Sequence, residues 1–328
     1  METRLLGRTG LRVSRLCLGT MSFGREADEA EAGRIYAAAR ERGINFFDCA
    51  DSYVAGRSEE ILGRLAAPER DQLILTTKCF NPMGRDPGSP GPNDRGGNRR
   101  HVTRAVEDSL RRLGTDRVEV LFMHRWDPDT PLEETLRALE DLVRAGKVLH
   151  IGASNYAAWQ VARGLGISER RGWARFDVIQ PMYSLVKRQA EAEILPLARA
   201  EGLGVITYSP VGGGLLSGKY GPGRRPEGAR IVTNREYAAR YGEDWAHACA
   251  GTFTALAEAR GVHPVSLAVA WVAAHADVTA PIVGARNLEQ LRPALAALEV
   301  PMTPELRAEV SALSRTPPPA TDRLEEAQ

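Results

Sequence analysis

Apolar residues fall in short runs along most of this chain, and more polar stretches with helical spacing separate the runs. The runs lie at 15–19, 44–48, 72–78, 117–124, 148–152, 176–181, 204–209 and 278–284, and they are rich in Val, Ile, Leu and Phe. Most lack the alternation of a half-exposed strand, which predicts strands buried on both faces. Of the stretches between them, 27–43 and 100–114 each end on a glycine, a helix stop. The stretch 131–147 opens with Pro131, which suits a first helical position. In 191–202 the internal Pro196 predicts a helix that starts late or kinks.

Eight strands alternating with helices predict a parallel sheet, and an α/β fold closed as a (β/α)8 TIM barrel is the natural form at 328 residues. The rival is an open doubly wound sheet, which carries G-x-G-x-x-G after its first strand when it binds a dinucleotide. No such match occurs in this chain. Residues 5–14 read as an N-terminal hairpin around Gly7 and Gly10, a plug for the barrel floor. Two long loops, 81–98 and 210–241, break the rhythm and follow the third and seventh strands. Both fall at the C-terminal face, where barrel active sites lie, and are expected to be lids. The whole chain, 1–328, reads as one domain with a solvated tail over 317–328.

Composition narrows the partners. Hydrophobic residues make up 43% and charged residues 26%, ordinary for a soluble globular protein. Lys+Arg is 43 against Asp+Glu 42, so the net charge of +1 argues against nucleic acid and anionic membrane as partners. No apolar run is long enough to span a bilayer, and the first ten residues lack a signal-peptide core, so a cytoplasmic location is expected. Cys17, Cys49, Cys79 and Cys249 form no C-x-x-C pair, and neither a metal site nor a disulfide framework is expected. Only four basic residues are lysines: Lys78, Lys147, Lys187 and Lys219.

Four ionisable residues stand at or just after three successive strand ends. Asp48 closes the second strand, Tyr53 follows it by five residues, Lys78 closes the third, and His124 closes the fourth. Singly, each has a plain explanation as a cap, a packing ring or a solvated cation. Together, in a closed barrel, these ends converge on one pocket. A metal-dependent hydrolase needs clustered ligands on several strand ends, and only His124 and Asp48 qualify.

At these residues the sequence resembles the aldo-keto reductase superfamily, over nearly the whole chain. The matching stretches are LCLGTMSFG (16–24), FFDCADSYVAGRSEEILG (46–63), LTTK (75–78), HRWDPDTPLEETLRALEDLVRAGKV (124–148), IGASN (151–155), YSPVGGGLLSGKY (208–220) and PIVGARNLEQL (281–291). The pattern looks most like bacterial members near potassium-channel β subunits and aryl-alcohol-type reductases. The resemblance implies a (β/α)8 barrel that binds extended NADPH without a Rossmann domain, in line with the missing glycine fingerprint. It places the catalytic tetrad on Asp48, Tyr53, Lys78 and His124.

That tetrad suits reduction of a small-molecule carbonyl compound, an aldehyde or ketone. The cofactor supplies the hydride, so the protein must supply a proton. A phenol of pKa about 10 must come down to about 7 for easy donation at neutral pH, which takes roughly 4 kcal/mol. One cation at about 4 Å supplies roughly that at an effective dielectric of about 20. Lys78 is therefore expected to acidify Tyr53, Asp48 to hold Lys78, and a neutral His124 to orient the substrate oxygen.

The resemblance also implies the cofactor contacts. Ser154, Asn155 and Gln180 correspond to the residues that hold the nicotinamide carboxamide, and Tyr208 to the ring that stacks on it. Gly19, Thr20, Met21, Ser209 and Gly284 line the same path. GGLLSGKY (213–220) nearly matches a P-loop, but Tyr220 replaces the hydroxyl that would ligate magnesium. The stretch is better read as a clamp over the pyrophosphate, with Leu215, Ser217 and Lys219 lining it. Arg286, at the start of a helix capped by Asn287 with Gln290, matches the position that binds the 2′-phosphate and implies NADP(H).

Two departures stand out. Pro293 and Ala294 replace the Glu and Asn usual near the adenine, which shifts adenine recognition towards Gln290. Cys49 stands where relatives often carry threonine and reads as packing. Phe23, Phe80 and Trp126, each just past a strand end, are candidate apolar walls for the substrate. The alternative expectation is an NADPH-binding regulatory subunit with weak or no turnover.

Overall fold

The computed structural model describes residues 1–83 and 90–321. A two-stranded antiparallel hairpin, β1 (Thr3–Leu5) and β2 (Arg12–Ser14), comes first. Eight parallel strands then close into a barrel: β3 (Cys17–Gly19), β4 (Phe46–Asp48), β5 (Ile74–Cys79), β6 (Val118–Met123), β7 (Val148–Ser154), β8 (Phe176–Gln180), β9 (Gly204–Thr207) and β10 (Ala280–Val283). Pairing of β10 with both β9 and β3 completes the closure. The fold is thus the expected α/β TIM barrel, and the open doubly wound sheet is ruled out.

Several strands are shorter than their apolar runs because helix ends use the first residues. The backbone N–H of Ile44 bonds Ala39 O at 3.0 Å and closes the preceding helix (Glu29–Glu41) past Gly43. Gly43 sits at φ +80°, the left-handed stop such an ending needs. β4 therefore begins only at Phe46.

Both faces of most barrel strands are buried, as the unbroken apolar runs predicted; the start of β7, where Leu149 is exposed, is an exception. In β6, Val120 and Phe122 point into the barrel, while Leu121 and Met123 pack in the outer layer under the helices. The hairpin is the floor plug: Leu6 and Val13 pack with Cys17, Phe46, Val120, Phe122, Val178 and Ile206 inside the barrel. Its turn lies hard against the start of β9. A Cβ on Gly7 would stand 2.3 Å from the backbone nitrogen of Gly204, and its φ of +56° also favours glycine.

Of the two segments that break the rhythm, 210–241 carries structure of its own. It contains the short helices Arg230–Thr233 and Arg235–Tyr241, and it buries Tyr220, Ile231 and Tyr241. Two further helices, Asp244–Ala259 and Pro264–Ala273, follow before β10. The described part of 81–98 is tied to neighbouring strand ends. Gly96 N–H bonds Phe80 O at 2.8 Å, and Gly97 N–H bonds a carboxylate oxygen of Asp127 at 2.6 Å. Residues 84–89 of that segment, and 322–328 of the expected tail, lie outside the described residues. Among the described residues no helix is long and apolar enough to cross a membrane.

Candidate active site

Barrel register brings the sequence candidates to one end. Gly19 pairs with Asp48, Asp48 with Thr76, Lys78 with Phe122, and Ser154 with Gln180. The C-terminal ends of β3 to β8 therefore surround a single mouth, and the first residues beyond each strand line it.

At its base is a buried ion pair. Lys78 Nζ lies 2.6 Å from Asp48 Oδ2, 2.6 Å from the carbonyl oxygen of Cys49 and 3.3 Å from Tyr53 Oη. Lys78 is fully buried and Asp48 is 2% exposed. Such a pair survives burial only when its remaining lone pairs are satisfied. Here they are: Asp48 Oδ1 accepts from Thr76 Oγ1 and from Gln180 Nε2, both at 2.8 Å. These two partners are absent from the sequence reading, which assigned Gln180 to the nicotinamide carboxamide alone. No local pattern could have shown them, since Gln180 reaches Asp48 across 132 residues of chain.

Tyr53 opens a tight turn (Tyr53–Gly56) in which Val54 and Ala55 adopt φ of 50° and 53°. Left-handed backbone at two successive non-glycine residues is strained and is held only by surrounding structure. The turn sets the phenol against Lys78 on one side and His124 on the other, with the two ring centroids 6.0 Å apart, edge to face.

The charge states follow from burial and neighbours. Burial, then the Lys78 and Arg125 cations, hold His124 down at about 3, so its ring is neutral at ordinary pH. Burial opposes the Lys78 charge, but Asp48 and the phenol oxygen outweigh it and hold the ammonium above its usual range. Tyr53 departs from the acidification that the sequence argument expected. Burial is the largest influence, it exceeds the pull of Lys78, and the phenol is pushed up to about 12. Removing a phenolate from water costs more than one cation returns, because Asp48 mutes that cation.

Around this base stand the candidate cofactor residues. Ser154 Oγ donates to Gln180 O at 2.9 Å, and Asn155 Nδ2 donates to His124 O at 2.8 Å. Tyr208 Oη donates to Asn155 Oδ1 at 2.6 Å. Asn155 and Ser209 both sit at φ 58°, so the chain leaves β7 and β9, on either side of β8, through left-handed backbone. Thr20 Oγ1 donates to Asp48 O at 3.1 Å, with Gly19 and Met21 half-buried beside it. In the clamp, Ser217 Oγ donates to Gly214 O at 2.7 Å, Lys219 is exposed, and Leu215 is fully buried in the core.

Past β10, Gly284 is exposed, and the Arg286 backbone N–H faces Gln290 Oε1 at 3.4 Å. Asn287 caps the following helix (Leu288–Leu295) by accepting from the Gln290 N–H at 2.9 Å. Pro293 lies within that helix, and its carbonyl accepts from Ser266 Oγ at 2.6 Å. Ala294 is buried against the core.

The three aromatic wall candidates separate. Phe80 is half-buried beneath the Arg125 guanidinium, whose carbon lies 5.7 Å from the ring centre. Trp126 is half-buried and packs edge-on to Tyr156 and Trp159. Phe23 is fully buried among the core residues between barrel and helices and offers no surface to the mouth. Cys49 packs as expected: it is fully buried, 3.2 Å from Ser58 Oγ, and burial pushes its thiol up to about 12.

The residues at the mouth fit a pyridine nucleotide. Asn155 links the Tyr208 hydroxyl, from which its Oδ1 accepts, to Ser154 Oγ, to which its Nδ2 donates at 3.1 Å. Arg286 stands half-exposed just before a helix N-terminus, which suits a phosphate.

A closed parallel barrel with a buried lysine–aspartate pair set against a half-buried phenol at its mouth is the arrangement of a TIM-barrel oxidoreductase. Residues 15–315 match the model of the aldo/keto reductase family, and the chain belongs to that family. It is 41% identical to the uncharacterized oxidoreductase YrpG of Bacillus subtilis, over 93% of this chain and 94% of that one. It is 35% identical to the "Probable voltage-gated potassium channel subunit beta" of Oryza sativa, over 98% of this chain and 99% of that one. It is 34% identical to the versiconal hemiacetal acetate reductase of Aspergillus parasiticus, over 93% and 94% respectively.

Proposed function

We propose that this protein reduces an aldehyde or ketone to the alcohol with NADPH, and that Tyr53 donates the proton. The observation that carries this reading is the Lys78 ammonium, 3.3 Å from Tyr53 Oη and 2.6 Å from Asp48 Oδ2, at the base of the mouth. The reduced nicotinamide would supply a hydride to the carbonyl carbon. Tyr53 then meets an alkoxide, a base roughly as strong as hydroxide, whose conjugate acid has a pKa of about 15.7. A phenol at about 12 is protonated throughout the physiological range and still gives its proton downhill to such an oxygen. Lys78 stabilises the phenolate left behind, and Asp48, itself held by Thr76 and Gln180, fixes the ammonium. Neutral His124 donates one hydrogen bond to the substrate oxygen.

Ser154 and Asn155 would hold the carboxamide, Tyr208 the ring face, the 213–220 clamp the pyrophosphate, and Arg286 the 2′-phosphate. Gln180 has one of its two amide hydrogens committed to Asp48, so its other N–H and its carbonyl oxygen remain for the cofactor. Phe80 and Trp126 would wall the substrate.

The test is NADPH consumption with a panel of aromatic and aliphatic aldehydes. Turnover that Tyr53→Phe nearly abolishes, while NADPH binding stays intact, is the expected result; unchanged turnover in that variant sinks the acid assignment.

A second reading has one observation in its favour, the full-length similarity to a protein named as a potassium channel β subunit. On that reading the chain binds NADPH and acts through a partner. Negligible turnover across the whole panel, with tight NADPH binding, would select it.

A further inference from the structure

Asn81 lies three residues past Lys78, where β5 runs into the loop above the mouth. Its side-chain nitrogen stands between the other two arms of the site. It is 3.2 Å from Ser52 Oγ, next to Tyr53 in sequence, and 3.3 Å from Nδ1 of His124. An amide nitrogen carries two hydrogens and accepts nothing. With the nitrogen facing both partners, one hydrogen is directed to Ser52 Oγ and the other to His124 Nδ1, whose role as acceptor depends on the ring's tautomer.

We propose that Asn81 is a positioning residue that donates to His124 Nδ1 and so keeps the single ring proton on Nε2. A neutral imidazole has one donor and one acceptor nitrogen, and the bond made by one decides the other. The backbone of His124 is held independently: its N–H bonds Cys79 O at 3.0 Å, and its carbonyl accepts from Asn155. The ring's remaining freedom is its tautomer and its turn about the side-chain bonds, and Asn81 constrains both. The same amide, through Ser52, ties the strained Tyr53 turn to the end of β5. One side chain thus couples the positions of the proposed acid and of the proposed orienting donor.

The consequence for catalysis rests on the proposed carbonyl reduction. The tautomer does not, since it belongs to the free protein. The experiment follows the histidine ring nitrogens of the 15N-labelled full chain by NMR near neutral pH, with His124 assigned by its loss in His124→Gln. The expected wild-type result is a protonated Nε2 and an unprotonated Nδ1.

In Asn81→Asp the carboxylate accepts rather than donates. The proton should move to Nδ1, and the acid limb of the kcat profile should rise in pH as imidazolium becomes favoured. Asn81→Ala should lose kcat about ten- to a hundred-fold, the scale of loss when the partner that orients a metal-ligating histidine is removed. KM should change much less, because the mouth itself is untouched. A wild-type ring protonated on Nδ1, or a tautomer unmoved in Asn81→Asp, overturns the proposal, as does full kcat in both variants. The expected tautomers together with no turnover on any carbonyl would leave this inference standing and remove the reductase reading instead.

Discussion

Tyr53 Oη stands 3.3 Å from Lys78 Nζ, yet its phenol is a weaker acid than a phenol in water, pushed up to about 12. Distance to a cation is only one of the influences on an acid withdrawn from water. Here burial outweighs it, and Asp48, which holds the cation, subtracts from its field. Lys78 therefore matters through stabilising the phenolate once the proton has gone, not through ionising the phenol beforehand.

Lys78→Met should cost both activity and stability. It removes the phenolate's cation, so turnover should collapse at every pH. It also leaves the Asp48 carboxylate buried without its ammonium, which typically costs about 3–5 kcal/mol. Denaturant unfolding of the variant checks the second effect. A midpoint equal to wild type would show that Thr76 and Gln180 suffice to hold Asp48.

Arg286→Ala should weaken NADPH binding far more than NADH binding, since only the former carries a 2′-phosphate for the guanidinium to pair with. Fluorescence titration with each nucleotide measures the two losses. Equal losses would remove Arg286 from 2′-phosphate recognition.

Asp51 is fully buried, and its carboxyl is pushed up to about 8. Burial is the main cause and the nearby Glu59 adds to it, against the pull of Arg112. An unfolded aspartate ionises near 3.9. From about pH 4 to about pH 8 the folded chain keeps a proton that the unfolded chain has released, so this group lowers stability as pH rises through that window. Asp51→Asn keeps the shape and should remove the slope, which approaches roughly 1.4 kcal/mol per pH unit. Unfolding midpoints across pH 5–8 for both proteins test this, and parallel curves would refute it.

Leu6→Ala should destabilise the barrel without touching the site. Leu6 is fully buried in the floor, at the end opposite the mouth, and truncating such a leucine costs about 2–5 kcal/mol. The expected outcome is a lower unfolding midpoint with wild-type kcat in the folded range. Lost kcat at full stability would mean the floor communicates with the mouth.

The barrel was legible in the chain because its cause is local. Strands buried on both faces need unbroken apolar runs, helix ends need their glycines, and eight such units in alternation have one compact closure. The plug was legible for the same reason, as a short hairpin around two glycines. Asp48, Lys78 and His124 could be grouped because strand ends converge in any closed barrel, whatever the side-chain detail.

What depended on the tertiary structure is what long-range contact and solvent exclusion decide. Gln180 and Asn81 acquire their neighbours only when β8 and the loop after β5 reach the mouth. The burial of Phe23 depends on how the helices lie against β3, which no run of residues encodes. The acidity of Tyr53 depends on how completely water leaves the pocket, and that is a property of the assembled barrel. Residue types and their order along the strands determined which groups would meet. Packing alone determined their distances and how far from water they meet, and with those the sign of the shift on the phenol.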